Sequence, residues 1–186
     1  MASQKPLKTD VLTDLTCNIK VDSAACLNIN PDSPSVDQIF IAGDRIMQSD
    51  SDEQMIVHIP FKSHVKVKSI CVRATAVDND KSSGPREVRL YVNHPHLSFQ
   101  DVDSVKPAQI IYLSQEDLEG KPIELKFVRF TKVFHIAVYM NSNQDNTPLT
   151  HFSSVSMTGF IPPITDLSKL KSTCCSGPTA SCTDIS

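Results

Sequence analysis

Between residues 54 and 160, apolar residues recur at every second position rather than at every third or fourth. The clearest alternating sets are Val88, Leu90 and Val92; Ile123, Leu125 and Phe127; and Phe134, Ile136, Val138 and Met140. Each set places its apolar side chains on one face, as in a strand with one buried side. Residues 65–74 also alternate, but the apolar parity changes near Ser69, which predicts a β-bulge or a bend there. Further strands are expected at 55–59, 110–113 and 152–160.

The connections between these runs are polar and carry turn residues, and none contains an amphipathic stretch of ten or more residues. This pattern argues against alternating strands and helices. The long segment 93–106 is expected to cross between sheets, and 141–148 is expected to form a hairpin tip. Residues 114–117 resemble a helix-capping motif, which predicts one helical turn before Gly120. At least seven short strands with long connections predict an all-β protein, either a β-sandwich or a jelly roll.

The length of 186 residues predicts one main domain with additional segments at either end. We assign residues 1–21 to an N-terminal arm, 22–163 to the β-sandwich and 164–186 to a flexible C-terminal tail. Leu12, Leu15 and Ile19 give the arm apolar side chains with which to dock. The last strand is expected to stop at the proline pair 162–163, because proline cannot donate to a sheet.

Charge and composition exclude several classes of protein. The 18 basic and 21 acidic residues are interspersed, whereas a general nucleic-acid binder needs a concentrated basic face. No apolar run approaches the roughly 18 residues of a membrane span, and no secretory h-region is present. The six cysteines contain no Cys-x-x-Cys pair, which favours free thiols in a reducing compartment. A cytoplasmic location, extending to the nucleus, is therefore expected, without membrane or nucleic-acid partners.

Two clusters carry candidate metal chemistry. The acidic run 50–54 offers oxygen ligands of the kind that Ca²⁺ prefers, but it lacks the glycine and distal glutamate of an EF-hand. A solvated loop that caps backbone N–H groups is the preferred interpretation. His94 and His96 could share a metal only with a third ligand from elsewhere. We therefore expect no metal and no cofactor, although a metalloenzyme that uses the two histidines and a carboxylate stays open.

Other candidate sites are weaker. No nucleophile elbow, phosphate-binding loop or zinc-binding helix motif occurs, so the chain is not expected to be an enzyme. His58 and His135 are expected at the surfaces of strands, and Tyr91 and Tyr139 on outward faces. Sugar sites usually stack a ring on an aromatic side chain, and this chain has no tryptophan and three tyrosines. A glycan site is therefore less favoured but stays open.

A series of short phrases, in order, carries a family resemblance. The phrases are residues 25–28 (Ala-Cys-Leu-Asn), 52–56 (Asp-Glu-Gln-Met-Ile), 59–61 (Ile-Pro-Phe), 65–67 (Val-Lys-Val), 84–93 (Gly-Pro-Arg-Glu-Val-Arg-Leu-Tyr-Val-Asn), 99–101 (Phe-Gln-Asp), 125–130 (Leu-Lys-Phe-Val-Arg-Phe), 147–150 and 157–160 (Met-Thr-Gly-Phe). In this order and spacing, residues 22–163 resemble the PITH domain. That domain is the C-terminal half of a proteasome-interacting thioredoxin-like protein, and it also occurs alone.

The resemblance implies a jelly roll similar to galactose-binding-like domains and to the Doc-type subunit of the anaphase-promoting complex. It also implies binding to the proteasome regulatory particle. The thioredoxin motif Cys-Gly-Pro-Cys is missing from this sequence, so disulfide reductase activity is not implied.

Most matched positions are expected to serve turns and packing. Asp52, Glu53 and Gln54 are expected to hold the loop before a core strand through backbone hydrogen bonds. Gly84 and Pro85 are expected to set a turn before Arg86, and Phe127 and Phe130 to enter the core.

The preferred hypothesis is a non-enzymatic protein-interaction module for the proteasome regulatory particle or an associated complex. The partner-binding candidates are Asp52, Glu53, Arg86 and Arg129, since charged groups steer docking. The alternative is a jelly roll that binds a glycan or a small polar molecule at a loop-end pocket. No sequence feature fixes an oligomeric state.

Overall fold

A computed structural model describes residues 11–41, 43, 45–75 and 81–162. The strands are β1 (Thr13–Asp14), β2 (Ala25–Leu27), β3 (Met47–Gln48), β4 (Met55–Arg73), β5 (Ser82–Ser83), β6 (Pro85–Val92), β7 (Gln109–Tyr112), β8 (Ile123–Glu124), β9 (Val133–Asn143), β10 (Leu149–Phe152) and β11 (Ser154–Phe160). One helix, α1 (Gln115–Leu118), and 3-10 turns at Thr16–Asn18, Val21–Ser23, Val36–Phe40 and Phe127–Phe130 complete the described elements. The predicted jelly-roll β-sandwich is confirmed.

The long strand β4 belongs to both layers of the sandwich. Its first half pairs with β2 and β9, and β9 continues through β6 to β7. Its second half pairs with β11 and β8, and β11 pairs with β1. The pairing with β9 shifts register between Pro60 and Val65, where β4 leaves one layer for the other. A separate three-stranded sheet has the order β3-β10-β5.

The core lies between the two layers and follows the predicted alternation. Val88 and Leu90 of β6 and Ile136, Val138 and Met140 of β9 all contribute buried side chains. The predicted bulge near Ser69 is confirmed, because Thr158 pairs with Ser69 whereas Gly159 pairs with Val67. The extra residue restores the inward direction of the apolar side chains after the change of parity.

Two parts of the strand prediction are wrong. The regular strand expected through Phe127 ends at Glu124, and Phe127 is exposed while Phe130 is fully buried. The 3-10 turn rotates Phe127 away from the core and carries the chain back to the first layer. Phe134 is also exposed, since Val133 occupies the inward position at the start of β9.

Two connections also differ from expectation. Residues 93–106 do not cross between sheets, because β6 and β7, which they join, pair directly with each other. The segment 141–148 is not a simple hairpin tip. After it, β10 pairs with β3 and, in parallel, with β5 rather than with β9.

The predicted helical turn is confirmed as α1. The Ser114 hydroxyl accepts a hydrogen bond from Asp117 N, and the Asp117 carboxylate accepts one from Ser114 N, which is a capping box. Gly120 follows with a φ of 111°, a left-handed conformation that suits glycine.

The N-terminal segment packs on the sandwich through the side chains that the sequence suggested. Leu15 and Ile19 are buried in the core, whereas Leu12 is exposed. Strand β1 extends the second layer by pairing with β11. The beginning of the arm and the whole of the expected C-terminal tail, with Cys174, Cys175 and Cys182, lie outside the described residues. In the part of the chain that is described, no helix is long and apolar enough to cross a membrane.

Candidate protein-interaction site

The acidic loop at residues 50–54 is folded around the side-chain amide of Asn28. The Asn28 Nδ2 group donates to Asp52 Oδ1 at 2.7 Å and to the Gln54 carbonyl at 2.7 Å. Its Oδ1 accepts from Ser51 N at 3.0 Å. Asn28 has a φ of 59°, a left-handed conformation that asparagine tolerates better than most residues. The loop-holding role predicted for Asp52 and Gln54 is confirmed, whereas Glu53 contributes only its backbone carbonyl. Asp52 holds the loop through Oδ1, which also accepts from Gln54 N at 3.0 Å, and its Oδ2 makes no hydrogen bond within the described residues.

Glu53 differs from Asp52, because its carboxylate makes no hydrogen bond or ion pair within the described part of the chain. Its carbonyl oxygen accepts a 2.6 Å hydrogen bond from Thr150 Oγ1, which fixes the backbone. The side chain lines a cavity of about 230 Å³, whose other lining residues are Ser142, Asn143, Asn146, Thr147 and Pro148. A carboxylate in such a cavity can accept hydrogen bonds from a cationic or hydroxyl group of a partner.

The wall of this cavity is held by its own hydrogen bonds. The Asn143 amide donates to the carbonyls of Thr147 and Leu149, at 2.8 and 2.9 Å, and accepts from Thr147 N at 2.9 Å. These contacts use both sides of the amide, so Asn143 has little hydrogen-bonding capacity left for a ligand. The free polar side-chain groups of the lining, within the described residues, are the Glu53 carboxylate, the Ser142 hydroxyl and the Asn146 Nδ2 group.

The four predicted partner-binding residues do not form one site. Arg86 donates to Asn146 Oδ1 at 3.2 Å and therefore lies at the same end of the sandwich as Asp52 and Glu53. Arg129 donates to the Ala108 carbonyl at 2.7 Å, towards the opposite end of β6 and β7. Asp52 and Glu53 belong to the acidic loop and Arg86 lies at the same end of the sandwich, whereas Arg129 lies beside the beginning of β7.

Strand β7 is the outermost strand of the first layer and exposes large side chains. Among the described strands, only β6 pairs with it. Tyr112 is 70% exposed and Ile110 is 45% exposed, although both belong to a regular strand. Val128, in the neighbouring 3-10 turn, is 87% exposed. An edge strand that shows apolar side chains is a surface to which another chain can bind.

The outer face of the first layer is covered next to β7. The segment 93–107 lies over it and forms a second apolar cluster, whose buried members are Ile56, Tyr91, Leu97, Val102, Ala137 and Tyr139. The Tyr91 hydroxyl donates to the Val102 carbonyl at 2.7 Å. Burial raises the pKa of Tyr139 to about 12. The two tyrosines do point away from the main core, as predicted, but the covering segment removes them from the surface.

His58 and His135 are buried under the same segment, so the prediction that they lie at the surface is wrong. His58 Nε2 lies 3.1 Å from the Leu97 carbonyl, which can only accept a hydrogen bond, so this nitrogen carries the proton. In the neutral ring, Nδ1 is then an acceptor for His135 Nε2 at 3.3 Å. His135 Nδ1 is left as a buried acceptor without a partner in the described structure.

Burial keeps this histidine pair neutral. It lowers the pKa of His135 to about 4, with a further contribution from the neighbouring imidazole of His58. Burial also lowers the pKa of His58, against the hydrogen bond to Leu97. His94 and His96 belong to the covering segment and are exposed. Within the described residues, no three His, Cys, Asp or Glu side chains are arranged to hold a metal ion.

Three cysteines fall in the described part, and all are free thiols. Burial raises the pKa of Cys26 to about 12 and raises that of Cys71. A thiol must ionise to act as a nucleophile, so these two side chains are poorly suited to redox chemistry.

The sequence interpretation missed Asn28, Ile110 and Tyr112. Asn28 ends the matched phrase 25–28, and an asparagine directly after a strand is a signal for a left-handed turn. Ile110 and Tyr112 fit a strand pattern, but alternation alone does not show that a strand lies at an edge.

Replacing Asn28 with alanine is expected to destabilise the protein by about 2 kcal/mol, through lost hydrogen bonds and the cost of a left-handed alanine. Asn146→Ala is a matched control, because Asn146 has a φ of 53° and its side chain makes one hydrogen bond, to exposed Arg86. Urea unfolding should show a clearly larger loss for Asn28→Ala. Equal losses would mean that the amide does not hold the acidic loop.

The family model and the related sequences that match this chain point to the same family. The PITH domain model matches residues 5–173, a wider stretch than the phrases suggested. Thioredoxin-like protein 1 of Schizosaccharomyces pombe is 34% identical over 149 residues, which cover 78% of this chain and 50% of that protein. PITH domain-containing protein 1 of Danio rerio is 29% identical over 145 residues, which cover 75% of this chain and 66% of that protein. The chain thus spans about half to two thirds of the length of these relatives.

Solved structures agree on the fold. A family 32 carbohydrate-binding module of NanJ from C. perfringens, in complex with galactose, has a TM-score of 0.59 at 8% identity and covers 80% of this chain and 99% of its own. A module of CpGH89 from Clostridium perfringens, in complex with GalNAc-β-1,3-galactose, has a TM-score of 0.57 at 12% identity and covers 78% and 99%. At these identities the similarity shows a galactose-binding-like jelly roll and nothing about the ligand. Because the PITH domain model matches most of the sequence, and the fold agrees with it, the chain belongs to the PITH domain family.

Proposed function

We propose that this chain is a non-enzymatic protein-interaction module that binds the proteasome regulatory particle or an associated complex. The observation that carries the proposal is the exposed apolar edge of the first layer, where Ile110 and Tyr112 of β7 face solvent beside the cation of Arg129. The family resemblance supplies the partner. The expected location is the cytoplasm and the nucleus.

The composition of this edge suits a protein contact. Tyrosine and arginine are enriched at protein interfaces, where the ring and the planar guanidinium combine apolar area with hydrogen bonds. Val128 enlarges the apolar surface beside Arg129. Asp52 stays a candidate for steering, but its carboxylate is engaged by Asn28, so among the acidic candidates Glu53 is the better contact.

Glycan binding is the second candidate, because the Glu53 cavity lies at a loop end and contains an unpaired carboxylate. None of the described residues that line this cavity is aromatic, and the Asn143 amide is used within its wall. A sugar would therefore lack the stacking surface that usually supplies its affinity. The structure favours the protein partner. A screen of galactose-containing glycans that raised the melting temperature would reverse this preference.

Capture from lysate with the intact, tagged chain is expected to enrich the base and lid subunits of the proteasome, as read by mass spectrometry. Neutralising the loop with Asp52→Asn and Glu53→Gln should reduce the capture, because charge complementarity accelerates association. Asp32→Asn, an exposed carboxylate in another turn, is the matched control. Enrichment of a different complex, without proteasome subunits, would contradict the proposed partner.

A further inference from the structure

The hydrogen-bond register of β6 and β7 shows which backbone groups of the edge strand are free. Glu87 lies opposite Tyr112, so Arg86 lies opposite Leu113, and Leu113 N donates to the Arg86 carbonyl at 2.7 Å. Hydrogen-bonded and non-hydrogen-bonded pairs alternate along an antiparallel ladder. The N–H and C=O groups of Tyr112 therefore point away from β6.

The same alternation applies one step further along the strand. Ile110 lies opposite Arg89, two residues before Tyr112, so its N–H and C=O groups also point away from β6. The side chains of Ile110 and Tyr112 share the outer face with Glu87 and Arg89. On that face, Arg89 is held by ion pairs with Glu87 at 2.7 Å and with Asp103 at 3.3 Å. No described group outside β6 bonds to these backbone atoms, so in the described part of the chain the edge combines free backbone groups with two exposed side chains.

Natural sheet edges usually have a feature that prevents another strand from pairing with them, such as an inward charge, a proline or a bulge. Over Gln109–Tyr112 the strand contains no charge and no proline. Its pairing with β6 runs in register through all four residues, without a bulge. An exposed edge without such a feature can pair with an additional strand from a partner. In this mode of binding, main-chain hydrogen bonds supply affinity.

The charges around the start of β7 indicate what such a strand would carry. Lys106 precedes the strand by three residues, Lys126 N donates to the Gln109 side chain at 2.8 Å, and Arg129 donates to the Ala108 carbonyl. None of these three cations has an ion-pair partner within the described residues. Three unpaired cations at one end of an apolar edge are complementary to an acidic segment with apolar residues.

We propose that the free edge of β7 binds an extended, acidic segment of the partner protein as an additional strand, with its carboxylates beside Lys106, Lys126 and Arg129. This inference rests on the proposed function, since it specifies how the partner is held. The alternating side chains of the added strand would pack against Ile110 and Tyr112. A strand this short offers few hydrogen bonds, so much of the affinity comes from the apolar side chains and the charges.

The test uses the full chain and purified 26S proteasome, together with overlapping synthetic peptides that tile the regulatory-particle subunits. Ile110→Pro removes an outward N–H without removing a hydrogen bond to β6, and proline is tolerated at such edge positions. Ile110→Val is the matched control, because valine keeps the N–H and most of the apolar side chain and favours strands. We expect Ile110→Pro to weaken binding by about tenfold or more and Ile110→Val by less than about threefold.

Charge is tested separately. Lys126→Glu is expected to weaken binding of acidic peptides by about fivefold at low salt, and the effect should shrink as salt is added. Lys20→Glu makes the same change of charge at an exposed residue near Pro60, on the far side of the first layer, and should leave binding unchanged. Preferential binding of basic or uncharged peptides would overturn the assignment of an acidic segment.

The outcomes separate this inference from the proposed function. Binding of the proteasome by the wild-type chain, with no loss in folded Ile110→Pro, overturns strand addition and leaves the proposed function intact. Failure of the wild-type chain to bind overturns both. If Ile110→Pro unfolds, amide hydrogen exchange of wild-type Ile110 and Tyr112 decides, because strand addition must slow exchange at both. Sedimentation that shows self-association through this edge would identify a second copy as the occupant and overturn the acidic segment.

Discussion

Gly159→Ala is expected to destabilise the sandwich by more than about 3 kcal/mol, or to prevent folding, because any side chain there overlaps β4. A Cβ atom on Gly159 would collide with the carbonyl oxygen of Lys66 and come within 3.0 Å of Val67 Cα. These are backbone atoms of a strand that is paired on both sides, so they cannot move aside cheaply. Because Gly159 has no side chain, β11 can approach β4 closely at the bulge, where the register shifts between Val67 and Ser69.

Urea unfolding of Gly159→Ala beside Gly43→Ala measures this effect. Gly43 is the matched control, because a Cβ added there meets no atom within 4 Å. We expect Gly43→Ala to change the free energy of unfolding by less than about 0.5 kcal/mol. A similarly small change for Gly159→Ala would contradict the described register between β4 and β11.

Acidification is expected to remove about 2 kcal/mol of stability between pH 6.5 and pH 4.5 through His135 alone. Burial lowers the pKa of His135 from 6.5 to about 4 in the folded protein, so the unfolded chain takes up a proton at higher pH than the folded chain does. The stability that comes from keeping this imidazole neutral is present above pH 6.5. It is lost as the pH falls towards 4.

The contribution of His135 is isolated by comparing the pH dependence of unfolding in wild-type protein and in His135→Phe. The variant should show a flatter loss of stability over this range, because the titrating group is gone. Tyr91→Phe is the control, since it loosens the same covering segment through the hydrogen bond to Val102 without removing an imidazole. If His135→Phe lost stability with the wild-type pH dependence, the histidine would not be buried and neutral.

The sequence predicted the sandwich because its two-residue period survives in the main strands. Val88 with Leu90, and Ile136 with Val138, point inward as their alternation required, and the change of parity near Ser69 marked a bulge. These features are local, since they depend on the direction of neighbouring side chains. The pattern of a single strand is therefore enough to predict both the inward side chains and the bulge.

The covered outer face was not predictable in the same way. His58 and His135 occupy outward positions of β4 and β9, and they are buried only because residues 93–107 fold back over the sheet. Alternation assigns a side chain to a face but does not show which loop covers that face. The polar composition of the covering segment favoured an exposed connection instead.

In the candidate site too, local features could be predicted from the sequence, whereas contacts between distant residues could not. The loop-holding role of Asp52 followed from its position before a strand, whereas its partner Asn28 comes from a distant strand end. Arg86 and Arg129 belong to matched phrases, but only the fold shows that they lie towards different ends of the sandwich. The exposure of Tyr112 depends on strand order, which a single sequence does not contain.

The similarity to carbohydrate-binding modules concerns the scaffold alone. The two solved modules share 8% and 12% of residues with this chain. A fold of this kind supports unrelated functions, and the residues at its loops and edges decide which one. In this chain, the exposed apolar edge is better suited to a protein than the Glu53 cavity is to a sugar.

Direct binding of the purified, full-length chain to purified 26S proteasome, measured by native gel shift, tests the central claim most directly. The account predicts a saturable shift with the wild-type chain, which weakens in Ile110→Pro and persists in Lys20→Glu. No shift at any concentration of the wild-type chain, with the core particle capped by its regulatory particle, would contradict the account.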